Sequence, residues 1–203
     1  MLTGRGLSAI VVIAIVTVTA AVIVGPQGAL SPLWPTDPIE ARILRDVRLP
    51  RVSLAFIAGA ALATAGMAFQ ALFRNALATP YTLGVSAGAS LGAAIYVHAD
   101  VSAVFAGIPG ETFAALAGAV LSTLAVYVLA RAGTGFSPAT LLLAGVAVSF
   151  LCTSIILAIQ YIGDVTTSFR IGRWLLGGLE VVGFAPVLRV LPFAALGIAA
   201  LLL

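Results

Sequence analysis

The sequence alternates between long stretches without a charged side chain and short connections that carry almost all the charge. Six stretches have the apolar composition of a transmembrane helix, although the third is short; they are 7–25, 52–73, 82–98, 112–130, 139–162 and a last one that begins near Phe184 or Arg189 and is still apolar at Leu203. The second alone gives about 33 Å of helix, enough for a bilayer core of about 30 Å. The pattern predicts an all-α protein, a polytopic transmembrane helix bundle with about six crossings.

The connection before the second stretch has its own helical pattern. Asp37, Pro38 and Glu40 fit the N-cap, first-turn proline and capping-box positions of a helix. Four apolar residues then share one face, namely Ile39, Ile43, Leu44 and Val47. The pattern predicts a short amphipathic helix on the membrane surface, ending before Pro50 because proline disfavours helix in the residue before it.

Two further connections carry local signals. Ser137 and Pro138 fit the N-cap and the first position of the fifth helix. Between the fifth and sixth stretches, Arg170, Arg173 and Trp174 lie close together. Tryptophan with arginine is typical of the headgroup level, so a second interfacial segment is predicted there.

Small residues recur at four-residue spacing in the predicted crossings. The three stripes are Gly84, Gly88 and Gly92; Ala55, Gly59 and Ala63; and Ala114, Gly118 and Ser122. In lipid, such stripes let helices approach closely and pack by van der Waals contact. Helix packing is therefore predicted at Gly59, Gly84, Gly88 and Gly92.

Composition supports an integral membrane protein and narrows its chemistry. Hydrophobic residues make up 62% of the 203 residues and charged residues 8%, against about 25% charged in soluble domains. The ten basic residues are all arginine and are scattered, so no nucleic-acid binding is predicted. No Walker-type phosphate loop occurs, and the single cysteine, Cys152, excludes an internal disulfide. No catalytic residue, metal site or cofactor is predicted.

Three other interpretations of the sequence are weaker. The stretch 7–25 follows Arg5 as a signal peptide would, but it exceeds the usual apolar core of about 7–15 residues, so a retained helix is favoured. Residues 84–88 match G-x-S-x-G, yet the one histidine, His98, lies about 18 Å along the same helix from Ser86. All seven acidic residues lie in connections or at helix edges, which disfavours an ion-coupled carrier.

Several separated motifs together resemble one family of membrane proteins. They are RLPR (48–51), GAALATAG (59–66), QALFRNALATP (70–80), LGVSAGASLGA (83–93), LLLAGVAVS (141–149) and RWLLGGL (173–179). In this order they resemble the transmembrane permease subunit of bacterial ABC importers for iron-siderophores, haem and vitamin B12. The alternative is a secondary transporter or channel that works without ATP.

The resemblance implies an assembly of several proteins in the bacterial inner membrane. Such a permease has ten helices and pairs with a second permease, as a homodimer or heterodimer. Two cytoplasmic ATPase subunits drive it, and a periplasmic or lipid-anchored binding protein delivers the substrate. The chain, 1–203, is then expected to be the N-terminal part of one permease domain, truncated after about the sixth helix and incompetent for coupled transport alone. It is not expected to be an enzyme.

The resemblance also implies roles for particular residues. Arg48 and Arg51 match arginines that meet acidic residues of the binding protein, although headgroup anchoring is the alternative. Asn75 and Leu77 match the cytoplasmic constriction of the pathway, as does the turn 136–139 with Ser137, Pro138 and Ala139. Asn75 is alternatively only a turn former, and Gln70 either lines the pathway or bonds a neighbouring backbone group.

The sequence departs from the family pattern in two respects. Ala76 stands where the family usually has proline, which leaves the turn less rigid. With the N-terminus inside, the cytoplasmic arginines are Arg5, Arg74 and Arg131, and the exterior ones are Arg42, Arg45, Arg48, Arg51, Arg170 and Arg173, with Arg189 near that face. More arginines therefore lie outside than inside, which is the opposite of the positive-inside rule. A docking role of the exterior arginines is offered as the explanation.

Overall fold

The computed structural model of the chain describes residues 4–25, 28–29, 37–105, 107–132, 137–179 and 181–202. Within them, eight α-helices form almost all the regular structure: α1 (Gly4–Ile23), α2 (Pro38–Ile43), α3 (Leu49–Phe73), α4 (Val85–His98), α5 (Gly110–Ala132), α6 (Pro138–Ile162), α7 (Val165–Leu176) and α8 (Ala185–Leu202). A π-helical turn (Leu44–Arg48) joins α2 to α3, and a 3-10 turn (Pro80–Leu83) precedes α4.

Four strands of two residues complete the described structure. Val24–Gly25 (β1) pairs with Gly28–Ala29 (β2), and Val104–Phe105 (β3) pairs with Ile108–Pro109 (β4), both antiparallel. They form two minimal hairpins that follow α1 and precede α5. The prediction of an all-α fold is confirmed.

Every predicted crossing corresponds to a helix. Four helical segments of the described chain have the length and apolar composition to span a membrane, namely 38–73, α5, α6 and α8. Two shorter apolar helices are 8–23 and α4. These six segments are the ones that the hydrophobic pattern indicates.

Contacts divide the chain into two compact units, Met1–Thr64 with Leu179–Leu203, and Ala65–Gly178. In the first unit the helix does not end before Pro50, so that prediction is wrong. The amide that Pro50 lacks would bond the carbonyl of Asp46 in an α-helix. That carbonyl instead accepts from the N–H of Gly183 at 2.7 Å, while Leu49 bonds back to Leu44 across the π-helical turn. Because both groups are satisfied, the helix continues through the proline.

The start of α2 follows the predicted cap only in part. The Asp37 side chain accepts from the N–H of Ile39 at 2.9 Å, and Pro38 occupies the first turn, as predicted. Glu40 does not complete a capping box. Its Oε2 is buried and has no hydrogen-bond partner among the described residues.

The second unit is organised around α4. Antiparallel α5 covers one side of α4, and α6 runs parallel to α4 on another. A Cβ added at Gly88 would collide with Ser122 and the Gly118 carbonyl, and one at Gly92 would collide with the Ala114 carbonyl. The backbones of α4 and α5 are therefore in contact, which only residues without a side chain permit.

Gly84 and Gly59 differ from the other two predicted packing glycines. Gly84 lies outside the helix at φ 75°, in the left-handed region that favours glycine, and α4 begins after it rather than at the predicted residue 82. It packs against α6, where an added Cβ would lie 3.2 Å from the Gly145 carbonyl. Beyond the neighbouring backbone of α3 itself, no described atom lies within 4 Å of a Cβ built on Gly59.

Candidate functional site

The turn after α3 is built from backbone hydrogen bonds. Arg74 adopts φ 47°, in the left-handed region, and its N–H bonds the Ala71 carbonyl at 3.3 Å. The Asn75 N–H reaches the Gln70 carbonyl at 3.2 Å, which completes a Schellman motif. Arginine in this conformation is uncommon, because glycine usually takes the position. The side chain of Gln70 itself is exposed.

Asn75 holds the next residues in place. Its side-chain Oδ1 accepts from the N–H of Leu77 at 2.9 Å, and its carbonyl accepts from the N–H of Ala78 at 3.1 Å. Ala78 is buried, whereas Leu77 is 82% exposed. The side chain of Asn75 therefore acts as a turn former here, and Leu77 is left projecting from the unit.

The start of α6 lies at the same end of the second unit. The Ser137 hydroxyl accepts from the N–H of Thr140 at 3.2 Å, and Pro138 takes the first turn, which confirms the predicted cap. Pro138 and Ala139 are exposed. Leu141 and Leu142, one turn further on, pack in one cluster with the Phe73 and Ala78 that flank the Asn75 turn. Residue 136, also part of the predicted gate turn, lies outside the described residues.

Charged residues gather at the opposite end of the second unit. Arg170 of α7 donates to Asp100, which follows α4, at 3.0 Å. Asp164 caps α7 by accepting from the N–H of Thr167 at 3.0 Å. The hydrogen bonds from Thr167 hold the pKa of Asp164 below its ordinary value. These charged groups lie at one end of the unit, and α7 occupies the connection for which an interfacial segment is predicted.

The two arginines of RLPR differ in their surroundings. Arg48 is half-buried, and its Nη1 donates to the carbonyls of Val22 and Ile23 at 3.3 and 2.7 Å. It therefore caps the carboxyl end of α1, where a positive charge also complements the helix dipole. Arg51, in the first turn of α3, is exposed.

Sequence reasoning missed a groove between α4 and α6 that contains several hydrogen-bonding side chains. Its volume is about 320 Å³, and its hydrogen-bonding side chains are Tyr81, Ser86, Ser90, Ser149, Thr153 and Gln160. The remaining lining residues are apolar, and none of the described ones is charged. The four-residue spacings of Ser86 with Ser90 and of Ser149 with Thr153 are the signal that could have revealed it.

Only part of the groove's hydrogen-bonding capacity is used within the unit. The hydroxyls of Ser149 and Thr153 donate to the carbonyls of Gly145 and Ser149, each at 2.8 Å. The hydroxyls of Tyr81, Ser86 and Ser90 and the amide of Gln160 form no side-chain hydrogen bond within the described part of the chain. The groove therefore presents accessible hydrogen-bonding groups that the unit itself leaves unused.

Comparison with known proteins decides the family. The profile of the FecCD transport family matches residues 7–203, nearly the whole chain. The chain belongs to the FecCD transport family. Helix α3, the Asn75 turn, the groove and α8 all lie within the matched residues.

Curated relatives of this FecCD chain are transport permeases. An uncharacterized ABC transporter permease protein, YvrB of Bacillus subtilis (strain 168), is 40% identical over 173 residues, covering 84% of this chain and 48% of the relative. The achromobactin transport system permease protein CbrC of Dickeya dadantii (strain 3937) is 39% identical over 155 residues, covering 76% and 44%. The hemin transport system permease protein HmuU of Yersinia pestis is 35% identical over 187 residues, covering 85% and 54%. The chain spans about half the length of these relatives.

A solved structure shares the fold. It is described as an inward-facing conformation of a metal-chelate type ABC transporter. The match has a TM-score of 0.77 and covers 96% of this chain and 60% of the other, at 22% sequence identity. The FecCD chain therefore has the fold of an ABC transporter permease over almost all of its length.

Proposed function

We propose that the chain is part of the permease subunit of an ABC importer that moves a metal chelate across the bacterial inner membrane. The single observation that carries the proposal is the family match over residues 7–203. An iron-siderophore is the proposed cargo, with haem or cobalamin as variants, because relatives of similar identity are named for different substrates. The chain then has no catalytic role of its own, since nucleotide hydrolysis belongs to separate subunits.

The proposed importer contains more than this chain. It has two permeases around one passage, two cytoplasmic ATPases and a periplasmic or lipid-anchored binding protein. In it, residues 1–203 form the N-terminal part of one multi-pass permease domain. The coverage of about half the length of the relatives supports this arrangement. A secondary transporter is not favoured, because Asp100, Glu111 and Asp164 lie in turns or at helix ends and Asp46 lies before the charge-free stretch 52–73.

The inner gate is proposed at the end of the second unit that carries Asn75 and Ser137. Leu77 projects from its turn, and Pro138 and Ala139 are exposed at the start of α6. The shared cluster beneath them, which includes Phe73 and Leu141, supports joint movement of the two segments. In this proposal exposed apolar residues close the passage until the ATPases move the permeases apart.

The docking role is proposed mainly for Arg51. Its exposure leaves the guanidinium accessible to acidic residues of a binding protein. Arg48 is proposed to support docking indirectly, because its bonds to Val22 and Ile23 fix the carboxyl end of α1 beside the helix that carries Arg51.

ATP dependence tests the proposed function. In cells or proteoliposomes with the assembled importer that contains this chain, uptake of a radioactive ferric chelate is expected to fall to background when the Walker lysine of the ATPase is replaced by alanine. Collapsing the proton gradient with a protonophore is the control and should leave ATP-driven uptake in proteoliposomes unchanged. Uptake that persists without a functional ATPase would identify a secondary transporter instead.

Two substitutions of Asn75 distinguish a role at the gate from a role in forming the turn. Asn75→Ala removes the acceptor for the Leu77 N–H, so we expect loss of the turn and uptake reduced by about tenfold, which corresponds to roughly 1.4 kcal/mol. Asn75→Asp keeps the acceptor oxygen. Recovery of uptake in Asn75→Asp would limit the residue to forming the turn, whereas loss in both variants would support an amide that acts at the constriction itself.

A further inference from the structure

The motif LLLAGVAVS (141–149) packs directly against the 3-10 turn that precedes α4. A Cβ added at Gly145 would collide with the carbonyl of Thr82 and would lie 2.8 Å from the Cα of Leu83. We propose that Gly145 is a positioning residue of the inner gate, because its missing side chain lets α6 hold the Asn75 turn in a fixed place. The inference rests on the proposed importer function and deepens its gate.

The contact between α6 and the 3-10 turn consists of backbone on both sides. The three atoms nearest to the added Cβ of Gly145 all belong to the backbone of Thr82 and Leu83. From the side of the turn, Gly84 at φ 75° brings its own backbone to the Gly145 carbonyl, 3.2 Å from an added Cβ. Backbone atoms cannot rotate away as side chains do. The contact therefore fixes the distance between the two segments.

Hydrogen-bonded turns connect this contact to the residues of the gate. The Thr82 hydroxyl donates to the Thr79 carbonyl at 2.6 Å and accepts from the Thr79 N–H at 3.3 Å. Immediately before this turn, Ala78 is buried, and its N–H bonds the Asn75 carbonyl at 3.1 Å. The exposed Leu77 lies inside that second turn. A shift at Thr82 is therefore carried along the chain to Leu77.

The same contact sets the position of α6. Ala144 and Val148, on either side of Gly145 in the sequence, belong to the buried cluster that contains Leu83. Pro138 begins the same helix two turns before Gly145. The contact thus determines where the start of α6 lies relative to the Asn75 turn, although Gly145 itself lies away from both.

Alanine in place of Gly145 is expected to push the turn away from α6. Carbon atoms pack at about 3.5–4.0 Å, so the Cα of Leu83 must move by about 1 Å. Because its own hydrogen bonds hold the turn together, Leu77 is displaced with it. The comparable collision at Gly92 involves the Ala114 carbonyl of α5 and no atom of the turn. The two glycines therefore separate an effect on the gate from an effect on packing alone.

Uptake and nucleotide hydrolysis by the assembled importer in proteoliposomes test the proposal. The probe is radioactive ferric chelate, haem or cobalamin, whichever the unaltered importer takes up. In Gly145→Ala, uptake per hydrolysed ATP should fall at least about fivefold, because overpacking strain shifts an equilibrium by that factor or more. Amide hydrogen exchange of residues 75–84 should accelerate at least about fivefold in the same variant.

Gly92→Ala is the matched control. It forces a methyl group against backbone in the same unit, but away from the 3-10 turn. We expect a lower yield of folded importer from this variant. The folded fraction should keep both its uptake per hydrolysed ATP and its hydrogen exchange over 75–84, which a merely structural role of Gly145 would also leave unchanged.

Gly84→Ala keeps the proposal testable if Gly145→Ala does not assemble. Its Cβ would meet the same contact from the other side and would collide less severely, at 3.2 Å from the Gly145 carbonyl. We expect the same two effects at smaller size. Gly177→Ala is the control for backbone strain, because Gly177 has φ 74° and, apart from its chain neighbours, no described atom lies within 4 Å of its added Cβ.

Three results would overturn the proposal. The first is unchanged hydrogen exchange over 75–84 in Gly145→Ala, and the second is unchanged uptake per hydrolysed ATP. The third is an equal change in a glycine variant and its control. ATPase-independent uptake by the unaltered importer would instead remove the importer function, while the exchange measurement would still show whether Gly145 positions the turn.

Discussion

Replacing Gly92 by alanine is expected to lower the free energy of unfolding by about 1–3 kcal/mol, the usual cost of forcing a methyl group into a packed interior. The new Cβ would collide with the carbonyl of Ala114 and would also approach the Cα of Gly118. Both obstacles are backbone atoms, so no side chain can rotate out of the way. The helices α4 and α5 must separate, which disturbs the most extensive helix pair of the second unit.

Gly172→Ala provides the matched control for Gly92→Ala. Gly172 also lies in a helix of the second unit, but no described atom beyond the neighbouring backbone of α7 lies within 4 Å of its added Cβ. Alanine is the better helix former, so this variant should gain up to about 1 kcal/mol. The unfolding midpoints of both variants can be measured by thermal unfolding in detergent. Each kcal/mol of stability should shift the midpoint by roughly 2–4 °C. Equal midpoints for the two variants would show that α4 and α5 are not in backbone contact.

Reversing the charge of Arg51 is expected to weaken association with the binding protein about tenfold or more at low salt, chiefly by slowing encounter. Arg51→Glu turns the proposed attraction to acidic residues of the binding protein into repulsion. The difference from the wild type should shrink as salt rises, because the screening length falls from about 30 Å at 0.01 M to about 8 Å at 0.15 M. Surface plasmon resonance with the assembled permease in nanodiscs would give the association and dissociation rates of the binding protein.

Arg42→Glu is the control for general charge effects. Arg42 is exposed on α2 and lies outside the RLPR motif that carries the proposed docking contact. If both reversals change the association rate equally, the effect is that of net charge and not of a specific contact. An unchanged affinity in Arg51→Glu would leave Arg51 as a headgroup anchor. Arg48→Ala should instead loosen α1, because two carbonyls at its carboxyl end lose their donor.

Much of the fold could be predicted from the sequence because helices in a membrane are set by local features. The lengths of the apolar stretches predicted six helices. Asp37 and Ser137 could be predicted as N-caps because they are typical capping residues at the start of a helical pattern. The prediction that the helix ends before Pro50 was wrong. The carbonyl of Asp46, which has no donor at Pro50, accepts a hydrogen bond from the N–H of Gly183, more than a hundred residues away. No local pattern contains that information.

The candidate site was only partly predictable for the same reason. The Asn75 turn follows from residue types in sequence, and its Schellman motif is local. The groove depends on how α4 lies beside α6, so Ser86 and Thr153 meet only in the folded unit. The different roles of Arg48 and Arg51 depend on where α1 ends. In each case packing between distant segments decided what the side chain does.

The central proposal is that Arg51, at the start of α3, faces the exterior and that Leu77, just after the end of α3, faces the interior. The helix of 25 residues is about 37 Å long, enough to join the two sides of a bilayer. Single cysteines at these positions, in a Cys152→Ala background, can be labelled in intact cells with a maleimide that does not cross the inner membrane. Labelling of Arg51→Cys before permeabilisation, and of Leu77→Cys only after it, is the predicted result. The reverse order would contradict the importer orientation and the roles assigned to both ends.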